Sequence, residues 1–171
     1  CACFCGATPV FADIDPNTYN ISVAEIEKKI TPNTKVIIPV HFAGQSCEME
    51  SLYTMIKVAE KKYGRKIYII EDASHALGSY YKQKKVGSCT YSDIAVLSFH
   101  PVKHITTGEG GAVLTNDKIL LNKMRVFAGH GIDKNKDLHK KKKQRWYYEQ
   151  KELGYNYRIT DIQCSLGLSQ L

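Results

Sequence analysis

The sequence contains no run of about 18 to 20 apolar residues, the length that a membrane-spanning helix requires, so no such helix is predicted. It does not begin with Met, and its first residues lack the positive charges of a secretory signal peptide. None of the six cysteines forms a C-x-x-C pair, and no Cys and His residues have zinc-finger spacing. We therefore interpret the cysteines as reduced thiols of a cytoplasmic protein.

Signatures of several other protein classes are also missing. There is no G-x-S-x-G nucleophile elbow, so a hydrolase built on Ser98 is not supported. There is neither a P-loop nor a G-x-G-x-x-G fingerprint for nucleotides. His100 and His104 are four residues apart, but Pro101 lies between them and no H-E-x-x-H motif follows. No metal site is therefore predicted.

The 171 residues carry a net charge of +7, which at first suggests a polyanionic partner. Six of these charges lie between residues 134 and 145, leaving +1 for the rest of the chain. The segment 134–145 has no aromatic residues and no amphipathic apolar pattern, as nucleic-acid or membrane binding would require. We interpret it as a solvated loop, and neither nucleic acid nor membrane is a predicted partner.

Short apolar runs alternate along the chain with segments of helical periodicity. Strands are predicted at 9–13, 35–40, 67–70, 94–99 and 112–115, and helices at 23–30, 48–63, 117–127 and 160–171. Ser22 and Glu25 form a capping-box pattern before the first helix, and Gly64 follows the second. This alternation predicts an α/β fold with a central, mostly parallel sheet flanked by helices.

Ligands of such sheets bind at the carboxyl ends of the strands. Polar residues follow the predicted strands at Asp13, Asp15, His41, Asp72, His75, Ser98, His100 and Lys103. Lys103 comes after a strand and a proline turn, where a partly desolvated amine can form a Schiff base. Asp72 can pair with a cationic ring nitrogen or cap a helix, and its position alone leaves both roles open.

Six segments carry a resemblance to a known family through their order and spacing. They are GATPVFADID at 6–15, IPVHFAGQ at 38–45, EDASHALG at 71–78, KVGS at 85–88, SFHPVKHITTGEGG at 98–111 and GYNYRITDIQ at 154–163. Together they resemble the pyridoxal-phosphate-dependent nucleotide-sugar aminotransferases (DegT/StrS-like, fold type I, as in aspartate aminotransferase). WYYEQ at 146–150 is most similar to the subgroup that aminates UDP-4-keto-6-deoxy-N-acetylhexosamines on the route to pseudaminic acid.

The resemblance implies a role for five residues. Lys103 matches the lysine that forms a Schiff base with pyridoxal 5'-phosphate and moves the proton. Asp72 matches the carboxylate that pairs with the pyridinium nitrogen, and His75 matches a residue that contacts the cofactor ring. Ser98 matches a hydroxyl that binds the phosphate. Asn156 matches an asparagine that reaches the phosphate in the neighbouring subunit, which implies a homodimer with shared sites.

The implied reaction moves an amino group from L-glutamate to the C4 ketone of a UDP-linked sugar. Because members of the family are longer, we expect residues 1–171 to be part of the large cofactor-binding domain. An N-terminal part and a small C-terminal domain would then be absent, and we expect the piece alone to be inactive or barely active. In that setting the segment 134–145 could instead attract the diphosphate of the sugar nucleotide.

Three alternatives remain open. One is an aminotransferase for another sugar nucleotide, 3-keto or dTDP-linked. The second is a basic binding protein that uses the segment 134–145. The third is a non-catalytic regulatory relative of the fold.

Overall fold

The computed structural model describes residues 1–133 and 148–171. The Lys-rich segment 134–145, with both of its interpretations, and the first two residues of the WYYEQ motif lie outside this part. The described strands are β1 (Val36–Ile37), β2 (Tyr68–Asp72), β3 (Tyr80–Tyr81), β4 (Lys84–Lys85), β5 (Ile94–Ser98), β6 (Gly111–Leu114), β7 (Ile132–Asp133) and β8 (Glu149–Gln150). The described α-helices are α1 (Val23–Lys29), α2 (Met49–Tyr63), α3 (Lys118–Ala128) and α4 (Asp161–Leu168).

The largest sheet has the strand order β1-β2-β5-β6. The pairs β1–β2 and β2–β5 are parallel, and β5–β6 is antiparallel. The prediction of a mostly parallel sheet with helices is confirmed. Two small antiparallel pairs, β3–β4 and β7–β8, accompany the sheet.

Helices α1 and α2 build the core against one face of this sheet. Leu52 and Ile56 of α2 pack with Ile69 of β2, and each is at most 2% exposed. Burial of such a side chain contributes about 1.5–3 kcal/mol. The predicted helix signals are confirmed, since Ser22 Oγ accepts a hydrogen bond from the Glu25 N–H at 3.4 Å and α2 ends at Gly64 with φ +65°.

The opposite face of the sheet is more exposed, and we call it the open face. Exposure alternates along β2, where Ile69 and Glu71 are buried while Tyr68 is 39% exposed. Val36, paired with Tyr68, is 42% exposed. Because side chains alternate between faces along a strand, Tyr68, Ile70 and Asp72 share the open face.

The predicted strand at 9–13 is wrong. Val10 and Phe11 are 67% and 86% exposed, so this apolar run does not enter the core. Asp13 and Asp15 therefore do not follow a strand of the sheet. Asp15 Oδ1 instead accepts hydrogen bonds from the backbone N–H groups of residues 17 and 18, at 2.8 and 3.1 Å, and stabilises a turn.

No helix in residues 1–133 or 148–171 is long and apolar enough to cross a membrane. Within the same residues, no three His, Cys, Asp or Glu side chains are grouped as metal ligands would be. All six cysteines are free thiols; Cys47 and Cys89 are buried.

Candidate functional site

Two polar residues from neighbouring strands lie together on the open face. Asp72 ends β2 and Ser98 ends β5, and the two strands are parallel. Asp72 is registered with Val96, two residues before Ser98, so both side chains are on the same face. Strand spacing and rise place their Cα atoms about 8 Å apart. The structure thus brings together two of the residues that the sequence selected.

Asp72 is held by the strand on its other side. Its N–H donates to the Pro39 carbonyl at 2.9 Å, and its carbonyl accepts from the His41 N–H at 3.0 Å. Its Oδ1 accepts from the Ser74 N–H at 3.1 Å, which ties the carboxylate to the loop after β2. The half-buried Asp72 therefore has a fixed backbone, and its Oδ2 accepts no hydrogen bond from residues 1–133 or 148–171.

Lys103 lies in a loop that leaves the sheet at Ser98 and returns at the start of β6. The Phe99 N–H donates to the Gly110 carbonyl at 2.8 Å, and the Thr107 N–H donates to the Phe99 carbonyl at 3.0 Å. Within the loop, the Lys103 N–H donates to the His100 carbonyl at 3.0 Å. These bonds close the loop at its base and hold Lys103, which is half-buried, close to the end of β5.

Glycine at position 111 is required where this loop rejoins the sheet. A Cβ added there would lie 2.7 Å from the Leu97 carbonyl oxygen, closer than real Cβ atoms approach. The residue stands opposite Ser98 in the antiparallel pair of β5 and β6. Any larger residue would push apart the strands that frame the lysine loop.

Two glutamines outside the loop also hold it. The side chain of Gln163 in α4 donates to the Glu109 carbonyl at 2.8 Å. Gln170, just after α4, both donates to the Thr106 carbonyl at 2.7 Å and accepts from its N–H at 3.0 Å. The sequence predicted the helix but not this role, because nothing in a helical pattern shows which loop its polar residues reach.

His75 lies in the loop after β2, at the same edge of the sheet. Its ring is tilted 58° to that of Phe42, with 6.5 Å between the ring centroids. Gly44 lets the two loops approach, since a Cβ there would lie 3.0 Å from the His75 carbonyl and the residue has φ +85°. The loops that follow β1, β2 and β5 therefore carry Phe42, His75 and Lys103 to one edge.

Asn156 belongs to a different part of the chain. It follows β8, forms a backbone bridge with Gly129 after α3, and is exposed. Neighbouring aromatic residues stabilise this segment, as Tyr155 packs edge-on against Phe127 and stacks on Tyr157. No hydrogen bond among the described residues joins the Asn156 side chain to the four residues at the strand ends.

A buried network on the covered face was not predicted. His41 is 0% exposed and Glu71 5% exposed, and His41 Nε2 lies 3.0 Å from Glu71 Oε2. Ser92 Oγ donates to the other carboxylate oxygen of Glu71. Burial alone would raise the pKa of Glu71, but the hydrogen bonds from His41 and Ser92 outweigh it and lower that pKa, so the carboxylate is ionised at neutral pH.

Cys47 borders this network. Its N–H donates to His41 Nδ1 at 3.1 Å, and burial raises the pKa of its thiol to about 12. Because the thiolate is the reactive form, we expect iodoacetamide at neutral pH to spare Cys47 in the folded protein while it modifies the exposed Cys3 and Cys5. Peptide mass spectrometry measures this, with the urea-unfolded protein as control. Equal labelling of Cys47 and Cys3 would contradict it.

The fold matches that of solved sugar aminotransferases of fold type I. A protein from Streptococcus pneumoniae, solved in its PMP-form, matches with TM-score 0.85 and 34% identity over 99% of this chain and 45% of that one. Helicobacter pylori PseC, an aminotransferase of pseudaminic acid biosynthesis, matches with TM-score 0.81 and 44% identity over 96% of this chain and 40% of its own. The chain belongs to the DegT/DnrJ/EryC1/StrS aminotransferase family, whose sequence model matches residues 1–171.

Curated relatives carry several names. An uncharacterised protein from Methanocaldococcus jannaschii is 48% identical over 96% of this chain and 41% of its own length. GDP-perosamine synthase from Caulobacter vibrioides is 44% identical over 98% of this chain and 40% of its own length. UDP-4-amino-4,6-dideoxy-N-acetyl-beta-L-altrosamine transaminase from Campylobacter jejuni is 44% identical over 99% of this chain and 42% of its own length. The chain thus spans about two fifths of the length of these relatives.

Proposed function

We propose that the complete protein carrying this sequence is a pyridoxal-phosphate-dependent aminotransferase acting on a UDP-4-keto-6-deoxy-N-acetylhexosamine. The amino group of L-glutamate would replace the ketone oxygen at C4 of the sugar, leaving 2-oxoglutarate. The observation that carries the proposal is the placement of Asp72, Ser98 and the Lys103 loop at one edge of the sheet. The altrosamine transaminases among the relatives support the choice of sugar.

The residues present fit pyridoxal phosphate chemically. The family and the neighbours solved in PLP-form and PMP-form indicate this cofactor, which supplies an electron sink when bound. The Asp72 carboxylate would pair with the protonated ring nitrogen, and the Ser98 hydroxyl would donate to the phosphate. Strand geometry places the Cα atoms of Asp72 and Ser98 about 8 Å apart, a distance that suits a ring carrying a phosphate arm.

Lys103 and His75 would act at the reacting atoms, and Asn156 would act between subunits. The Lys103 amine would bind the cofactor aldehyde and, once released, move the proton between donor, cofactor and sugar carbons. His75 would contact the ring. The exposed Asn156 would reach the phosphate in a second subunit of a cytoplasmic homodimer, and six free thiols agree with a reducing compartment.

The test is a panel of ketone substrates offered to the complete protein with glutamate. UDP-, GDP- and dTDP-linked 4-keto-6-deoxy sugars and a 3-keto sugar are compared, and amino sugar and 2-oxoglutarate are both quantified by mass spectrometry. We expect the highest kcat/KM with the UDP-linked N-acetyl sugar. Formation of 2-oxoglutarate without amination of any keto sugar would contradict the proposed substrate class.

A GDP-linked sugar is the second candidate. GDP-perosamine synthase is as similar to this chain as the altrosamine transaminase, at 44% identity each. Preferential amination of the GDP-linked 4-keto sugar would show that this sugar, and not the UDP-linked one, is the substrate.

A further inference from the structure

The buried pair of His41 and Glu71 has no part in the reaction as proposed, yet it is fully hydrogen-bonded. Because His41 Nδ1 accepts from the Cys47 N–H, the ring proton is on Nε2 and is donated to Glu71. Glu71 accepts from His41 with one oxygen and from Ser92 with the other. Both side chains therefore have one defined orientation on the covered face.

This pair is connected directly to Asp72. Glu71 and Asp72 are successive residues of β2, so their side chains point to opposite faces of the sheet. The same His41 that binds the Glu71 side chain also donates its backbone N–H to the Asp72 carbonyl at 3.0 Å. A rotation of β2 that moved the Asp72 carboxylate would also strain the hydrogen bond between His41 and Glu71 on the opposite face.

Two contacts orient the end of β2: the Ser74 N–H binds the Asp72 carboxylate itself at 3.1 Å, and the buried pair holds the strand from the covered face. The Ala73 N–H donates to the Val96 carbonyl at 2.9 Å, which fixes the backbone to β5 but not the rotation of the side chains. Apolar side chains at positions 41 and 71 would fill the same space without a preferred direction. A hydrogen-bonded pair accepts only a narrow range of angles.

We propose that His41 and Glu71 are positioning residues that hold the Asp72 carboxylate at the place of the cofactor ring nitrogen. The inference rests on the proposed function, in which Asp72 pairs with that nitrogen. The pair acts through geometry and does not contact the cofactor. A misplacement of about 1 Å can cost about 10²-fold in rate, so small shifts of Asp72 are measurable.

Two conservative variants of the complete holoenzyme separate geometry from charge. Glu71→Gln keeps the length of the side chain, and its amide can accept from His41 while donating to Ser92. Glu71→Asp keeps the charge but is one methylene too short to reach His41. We expect Glu71→Gln to remain within about threefold of wild type in kcat, and Glu71→Asp to lose about 10²-fold.

The decisive readout is the absorption spectrum of the bound cofactor, which responds to loss of the negative charge beside the ring nitrogen and does not depend on turnover. We expect Glu71→Asp to shift the spectrum toward that of Asp72→Asn, and Glu71→Gln to keep the wild-type spectrum. Glu60→Asp is the matched control: Glu60 accepts from the Ile67 N–H at 2.8 Å near the other end of β2. We expect it to leave the spectrum unchanged.

Should Glu71→Asp fail to fold, the double variant His41→Leu/Glu71→Leu replaces the pair by apolar side chains. We expect it to show the same loss of kcat and the same spectral shift as Glu71→Asp. A wild-type spectrum and kcat in a folded Glu71→Asp or double variant would overturn the positioning role. If Asp72→Asn changes the spectrum and the Glu71 variants do not, only this inference fails. If Asp72→Asn leaves the spectrum unchanged, the proposed role of Asp72 fails and the inference fails with it.

Discussion

Replacing Lys103 by alanine in the complete protein is expected to lower kcat for amino transfer by about 10⁴-fold or more, because in the proposed function this one side chain would supply both the covalent attachment and the proton transfer. Lys103→Arg should be equally inactive, since a guanidinium keeps the positive charge but is not deprotonated near neutral pH. The measurement is the rate of 2-oxoglutarate formation from glutamate. The absorption band of cofactor bound to the protein should be lost in parallel.

Lys118→Ala serves as the control for Lys103→Ala. Lys118 is an exposed lysine at the first position of α3, away from the strand ends, and its removal should leave kcat within about twofold. Substantial turnover by Lys103→Ala would mean that another amine performs the reaction. The assignment of the loop at 99–110 to catalysis would then be wrong.

Replacing Asp72 by asparagine is expected to lower kcat/KM by about 10²- to 10⁴-fold, which corresponds to the loss of about 3–5 kcal/mol when one partner of a desolvated ion pair is removed. Asparagine has nearly the same shape, and its amide oxygen can still accept from the Ser74 N–H. The loss would therefore be due to charge: if Asp72 pairs with the ring nitrogen as proposed, its removal would leave that nitrogen without the carboxylate that keeps it protonated, and the electron sink would weaken. Steady-state kinetics with saturating cofactor measure it.

The matched control for Asp72→Asn is the same change at Asp117. Asp117 caps α3 by accepting from the N–H groups of Ile119 and Leu120, at 2.7 and 3.2 Å, and asparagine caps helices about as well. Asp117→Asn should therefore leave kcat/KM unchanged. If Asp72→Asn also left kcat/KM unchanged, the role of Asp72 would be limited to the turn that it forms with Ser74.

Local signals predicted the helices well. The second helix was expected at 48–63 and runs from Met49 to Tyr63, because Gly64 can adopt the left-handed conformation that ends it. The run at 9–13 was misassigned because apolar composition does not show whether a segment is covered, and Phe11 remains exposed. The β3–β4 pair was missed because its two-residue turn has no Asn-Gly or Asp-Gly; Lys82 adopts φ +53° there.

The candidate site was predictable to the extent that it follows from strand ends. Parallel strands bring their carboxyl ends to one edge, so Asp72, Ser98 and Lys103 could be selected from sequence and lie at that edge in the structure. The contact between His41 and Glu71 could not be selected, since it joins residues 30 positions apart. It depends on how two strands align side by side, and no local pattern encodes that alignment.

The closed base of the lysine loop has a practical consequence for altering the enzyme. Both ends of the loop are fixed in neighbouring antiparallel strands, at Ser98 and Gly111, and the side chains of Gln163 and Gln170 hold it from outside. Relatives named for GDP- and UDP-linked sugars are equally similar to this chain. A directed-evolution library for new sugars can therefore keep residues 98–111, the two glutamines and Asp72 unchanged and place its diversity elsewhere.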